Sequence, residues 1–128
     1  MSMKKITGLG GVFIKAKDPK ALAEWYQETL GIDFKNNSYV DLPFTEEGKI
    51  TPGYNVLSFF KEDNNYFNSS VKQVMLNLRV HDLFALLDEL KNKKVTIVGD
   101  PVDEDYGKFG WIMDPEGNKI ELWQPPDK

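Results

Sequence analysis

The stretch GGVFIKAKDPKALAEWYQETLG, residues 10–31, changes its period once, and that change decides the fold. Up to residue 17 the side chains alternate, Val12, Ile14 and Ala16 against Phe13, Lys15 and Lys17, which is the period of a strand with two unlike faces. Asp18-Pro19 then supplies an N-cap and a first helical residue. Beyond it Leu22, Trp25, Tyr26 and Leu30 share one helical face, and Gly31 stands where a helix commonly ends. The stretch reads as a strand feeding a helix, with Trp25 and Tyr26 expected in the core beneath it.

The same change recurs in the second half. QVMLNLRVHD, residues 73–82, alternates Val74, Leu76, Leu78 and Val80 with Met75, Asn77 and Arg79, and LFALLDELKNK, residues 83–93, gathers Leu83, Leu86, Leu87 and Leu90 on one helical face. Sliding the chain by 64 residues lays Asp18 on Asp82, Ala16 on Val80, Leu22 on Leu86, Tyr26 on Leu90, Gly53 on Gly117, Val56 on Ile120 and Phe59 on Trp123. Residues 32–60 hold Asn36-Asn37, Pro43, Gly48 and Pro52-Gly53 and predict short strands and turns ending in a strand at 54–60. After the second helix come strands at about 95–98 and 107–113, the turn DPEGN and the strand KIELW. One gapless offset that aligns strand with strand and helix with helix implies two copies of a βαβββ unit. Module one is expected over about 6–61, a polar linker containing EDNNYFNSS over about 62–71, and module two over about 72–125.

A chain of 128 residues is one domain's worth and can bury a single core without staples. The absence of cysteine excludes thiolate metal sites and thiol nucleophiles. The N-terminus carries no apolar signal region and no run approaches membrane-spanning length, so a soluble cytoplasmic protein is expected. With a net charge of −4 and only short Lys pairs, neither nucleic acid nor a membrane is an expected partner.

GGVFIKAKDPKALAEWYQETLGI and FGWIMDPEGNKIELWQP together resemble the first strand and helix and the last hairpin of the vicinal oxygen chelate superfamily, which holds glyoxalases, bleomycin-resistance proteins and extradiol dioxygenases. The likeness covers nearly the whole chain. It implies an α+β fold in which two tandem βαβββ modules curl their sheets into a cup, with the helices outside and a ligand or metal inside. In such a cup Val12, Ile14, Ala16, Val56, Leu76, Leu78, Val80, Ile120 and Leu122 would face the helices. The ligand-binding candidates are Phe13, Lys15, Phe59, Asn77, Arg79, Trp111, Glu121 and Trp123, an aromatic surface with a few charges, as binding pockets are.

The resemblance also implies metal-ligand positions, which carry over to Gly11, Leu57, Met75 and Glu121. Only Glu121 bears a usable donor, so no divalent metal or other cofactor is expected. If DPEGN closes a hairpin, Trp111 lies opposite Glu121 and desolvates it, raising its pKa unless Arg79 or Lys15 pairs with it. Glu121 is the one candidate catalytic residue, as a proton carrier. The only histidine, His81, falls at a strand end and reads as a turn or cap residue. GLGG, residues 8–11, precedes a strand and so fails the context of a phosphate loop. DEDYG, residues 103–107, reads as a solvated rim loop.

Three functions compete on these residues. The favoured one is a metal-free protein that binds a small amphipathic or cationic molecule, as the bleomycin-resistance branch does. The others are a lyase or dioxygenase of the glyoxalase kind and a metal-independent enzyme using Glu121 as acid or base. The resemblance further implies a homodimer whose chains complete one another's cups, with the small residues of GLGGVF at the contact.

Overall fold

The computed structural model describes residues 5–126. Its elements run β1 (Ile6–Ala16), α1 (Pro19–Leu30), β2 (Tyr39–Glu46), β3 (Lys49–Lys61), β4 (Val74–Val80), α2 (Leu83–Asn92), β5 (Val102–Glu104), β6 (Gly107–Met113) and β7 (Lys119–Gln124). The seven strands form one sheet in the order β2-β3-β1-β4-β7-β6-β5. The two halves meet where β1 and β4 pair antiparallel, and within each half the first strand pairs parallel with the last, β1 with β3 and β4 with β7.

The helix starts follow from the repeated aspartate. Asp18 and Asp82 both hold extended backbone, and each carboxylate accepts from the N–H three residues on, Ala21 at 3.1 Å and Ala85 at 3.2 Å. Gly31 ends α1 in the left-handed region at φ 75°. The helices cover the outer face of the sheet. Leu83, Leu86 and Leu87 of α2 pack with Val80 and Leu122, while Ala23 of α1 packs with Phe34 and Phe59. Each fully buried leucine contributes about 1.5–3 kcal/mol, so these contacts fix α2 to its half of the sheet. Tyr26 joins the α1 cluster as expected, but Trp25 is 53 % exposed and Leu30 is 58 % exposed, because α1 lies on the sheet by a stripe too narrow to include them.

The fold is the α+β cup that the sequence implies, with three departures. The second half is a complete βαβββ unit; the first has two strands after its helix, because only residues 31–38 separate α1 from β2, and they turn through left-handed Lys35 and Asn36. Residues 95–98 make an isolated bridge, Ile97 to Ile112, instead of a strand. The third concerns register. Phe13 pairs with Ser58 as Asn77 pairs with Glu121, so the offset is 64 between β1 and β4 but 63 between β3 and β7. A slip of one residue turns every side chain of a strand over. Phe59 and Leu57 therefore pack under α1, while Val56 joins the inner cluster around Phe13 and Met75.

Among the described residues no helix is long and apolar enough to cross a membrane. The cup is built from both halves of a single chain, so its walls need no second copy. Gly11 of GLGGVF serves a contact inside the first half: a Cβ there would lie 2.3 Å from the backbone oxygen of Val56 on β3.

Candidate ligand-binding site

The inner face of the sheet encloses a cavity of about 510 Å³. Glu121 lies at its heart, 1 % exposed, on β7 between Asn77 of β4 and Trp111 of β6, its partners in the two ladders. Three neutral donors converge on its carboxylate. The Asn77 amide donates to Oε1 at 2.6 Å, the Trp111 indole donates to Oε2 at 2.8 Å, and the Tyr66 hydroxyl donates to Oε2. Burial pushes the Glu121 pKa above its ordinary value, and the Tyr66, Trp111 and Asn77 hydrogen bonds and the Lys119 charge oppose that shift without cancelling it. Burial and the neighbouring Glu121 likewise raise the Tyr66 hydroxyl far above its usual range, so Tyr66 remains a donor.

The amide of Asn77 reaches Glu121 because residue 10 is glycine. A Cβ there would stand 2.0 Å from Asn77 Oδ1 and 3.0 Å from the Trp123 ring. Asn77 Oδ1 is buried without a hydrogen-bond partner among the described residues, and the Cα hydrogen that Gly10 carries in place of a side chain points at it, a weak C–H···O contact.

The remaining lining is aromatic. Phe13, Phe60 and Tyr66 form one wall, with Phe60 stacked on Tyr66 at 5.5 Å between ring centres and tilted against Phe13 at the same distance. Trp123 and Phe109 stack at 6.3 Å on the opposite side, where Tyr54 leans on Trp123 at 5.4 Å. Exposed Tyr39, Asp41 and Tyr106 stand at the mouth. Among the described residues, Asp41 and Glu121 are the only charged ones that line the cavity, and both are acidic.

Of the sequence candidates, Phe13, Asn77, Glu121 and Trp123 line the cavity, and Trp111 backs it through its bond to Glu121. Phe59 does not, for the reason of register given above. Lys15 and Arg79 lie on the inner side but neither pairs with Glu121. The Lys15 ammonium sits over the Phe67 ring at 5.2 Å, and the Arg79 guanidinium is sandwiched between Phe44 and Trp123 while donating to Tyr54 O at 3.2 Å. His81 is exposed beside the α2 cap, as a turn residue is. Sequence reasoning missed Tyr54, Phe60 and Phe109 of the lining and, bonded to Glu121, Tyr66. Tyr66 stands in EDNNYFNSS, read as a polar linker, yet its neighbour Phe67 is fully buried and the segment folds back against the inner face. Two adjacent aromatics in an otherwise polar run were the available signal.

A profile of the Glyoxalase/Bleomycin resistance protein/Dioxygenase superfamily matches residues 8–122. The chain belongs to this superfamily. Solved structures similar to it include methylmalonyl-CoA epimerase from Mycobacterium tuberculosis, 21 % identical with a TM-score of 0.63, covering 99 % of this chain and 93 % of that one. A variant of the Streptomyces coelicolor methylmalonyl-CoA epimerase in complex with 2-nitronate-propionyl-CoA gives 18 %, 0.69, 95 % and 99 %. A glyoxalase/bleomycin resistance protein/dioxygenase superfamily member from Vibrio splendidus 12B01 gives 15 %, 0.56, 88 % and 95 %. At such identities the likeness is one of fold. No curated protein matches the chain.

Of the four positions to which the resemblance assigned metal ligands in this superfamily, Gly11 has no room for a side chain, Met75 is buried in the inner cluster and Leu57 faces outward under α1. Leu57 was thus the wrong residue of β3; the residue whose place in its ladder matches that of Glu121 is Ser58. Among the described residues no group of three or more His, Cys, Asp or Glu is placed to hold a metal ion.

The raised pKa of Glu121 has a consequence for stability. The unfolded chain titrates this group near 4.5, whereas the folded chain keeps the proton to higher pH. The group's favourable contribution is therefore fully present below 4.5 and is lost as pH rises through the folded value. Glu121→Gln cannot titrate, so the melting temperature of the wild type minus that of the variant should decline over this interval and then level off. A difference that climbs with pH would mean that the three hydrogen bonds outweigh burial.

Proposed function

We propose that the protein binds a small, planar, amphipathic cation in this cup without a metal ion, sequestering it or carrying it. The observation that supports this most is the lining: aromatic faces on two walls, with Asp41 and Glu121 as the charges among them. Aromatic faces attract cations and planar rings, and a buried carboxylate disfavours an anion beside it. Glu121 Oε1 accepts one hydrogen bond, which leaves it a free lone pair for a ligand donor. The donor set argues against a metal: one carboxylate already bound by three donors, beside Gly11, Ser58 and Met75, does not supply the three or four ligands that such a site requires.

The test is a titration with two dyes of opposite charge, thioflavin T as a planar cation and 1-anilinonaphthalene-8-sulfonate as an anion, followed by dye and tryptophan fluorescence. Thioflavin T should bind at least about tenfold more tightly, EDTA should change neither its affinity nor the melting temperature, and Glu121→Gln should weaken it by about 10- to 100-fold, the worth of one charge-assisted hydrogen bond. Preference for the anion, or a chelator-induced loss of several degrees, overturns the reading. A second reading, a metal-independent enzyme, draws on the contact between Tyr66 hydroxyl and the raised Glu121 carboxylate, a pairing suited to moving a proton. It requires turnover that Glu121→Gln abolishes. Homodimerisation belongs to the proposal as well, to be read by sedimentation.

A further inference from the structure

The segment between β3 and β4 forms the end wall of the cup, and what attaches it is unusual. It is joined to β1 at its two ends by backbone hydrogen bonds, Glu62 N–H to Ala16 O and Lys15 N–H to Gln73 O. Between those ends its own bonds are local: Asn64 to Lys61, Asn68 to Asn65, Ser70 to Phe67. The bonds that reach across to the sheet come from side chains. Lys119 Nζ donates to Tyr66 O at 2.7 Å and to Asn68 O at 2.8 Å, and the Tyr66 hydroxyl donates to Glu121. Lys119 is itself 8 % exposed, with its ammonium 5.5 Å from the Tyr66 ring centre and 5.7 Å from that of Trp111.

A lysine buried this way is costly unless its donors are used, and here they hold two carbonyls of one strap, two residues apart, on either side of buried Phe67. We propose that Lys119 is a positioning residue for the ligand site: it clasps the strap so that Tyr66 closes the end of the cup and keeps its hydroxyl on Glu121. Lys119 and Glu121 lie two apart on β7, on the same face, so the strand that carries the carboxylate also sets the wall beside it. The clasp decides how much of the carboxylate a ligand finds free and how deep the cup is. This rests on the cup being a binding site, and the two parts can fail separately.

The experiment compares Lys119→Met, which keeps length and apolar contact but loses the donors, with Lys119→Arg, which keeps a charged donor, and with Tyr66→Phe. Amide hydrogen exchange is read on peptides spanning 62–70, 74–80 and 119–124, and thioflavin T affinity is read in parallel. In Lys119→Met, exchange in 62–70 should quicken at least tenfold while the β4 and β7 peptides keep their protection. Dye affinity should fall severalfold, and Lys119→Arg should restore part of both. Tyr66→Phe should lower affinity with little change in exchange of the strap, because the clasp on the backbone survives. Protection lost equally in all three peptides would show a general structural role and overturn the proposal, as would unchanged exchange in 62–70. Should the wild type fail to bind the dye, the binding reading falls while the exchange arms still decide whether Lys119 holds the strap.

Discussion

Glu121→Leu should destabilise the protein by about 3–5 kcal/mol, far more than Glu121→Gln. The leucine fits the space, so the cost does not come from a cavity. It comes from three donors, the Tyr66 hydroxyl, the Trp111 indole and the Asn77 amide, that lose their acceptor at once. Each unmet buried donor costs about 1–3 kcal/mol, and the sum is reduced where the cup lets water in. Glutamine escapes most of this. Its carbonyl can accept from Tyr66 and Trp111, and its amide can face Asn77 once that side chain turns its oxygen inward, so its cost should stay below about 1.5 kcal/mol. Urea unfolding followed by tryptophan fluorescence separates the two variants. A leucine variant within about 1 kcal/mol of wild type would mean that the three donors find other acceptors.

Gly107→Ala should be nearly as damaging, at about 3–4 kcal/mol, and should also remove ligand binding. Gly107 holds φ 135°, which an L side chain rarely adopts, and a Cβ would meet Trp123 Nε1 at 2.4 Å and the Gln124 backbone oxygen at 2.7 Å. The backbone oxygen cannot move without opening the β6–β7 ladder, so Trp123 must give way. It then loses its hydrogen bond to Tyr106 O, at 3.0 Å, and its stack on Phe109. Backbone strain of about 1–3 kcal/mol is added to those losses. Because Trp123 forms a wall of the cup, the thioflavin T titration should collapse together with stability. A stable variant with intact dye binding would show that the indole can shift without consequence.

What could be read from the chain alone was the part governed by local period. β1 with α1, β4 with α2 and the last hairpin lie where alternation and aspartate caps put them, and the pairing of Trp111 with Glu121 follows from a five-residue turn. Register in β3 was not legible, since a strand with Val56, Leu57, Phe59 and Phe60 is apolar on both faces and alternation cannot say which face is inner. The partners of Glu121 were half legible. Asn77 and Trp111 stood on the predicted strands, but Tyr66 comes from a segment whose polar composition hides a fold-back dictated by tertiary contacts. Lys15 and Arg79 were the charged partners considered for the carboxylate, yet three neutral donors hold it instead.

A sheet that curls without closing keeps two edges, and here they are β2 and β5. An open edge invites another chain to add a strand, which is how sheet proteins aggregate. Both edges discourage this by different means. β2 contains Pro43, which has no N–H to offer, and its register slips just beyond, between Pro43 and Thr45. β5 is three residues long, contains Asp103 and Glu104 and runs into Asp105, so a second copy approaching edge-on would set three negative charges against three more. The acidic run read as a plain rim loop thus guards the sheet against self-addition, and the openness that gives the cup its mouth need not make the protein prone to form fibres.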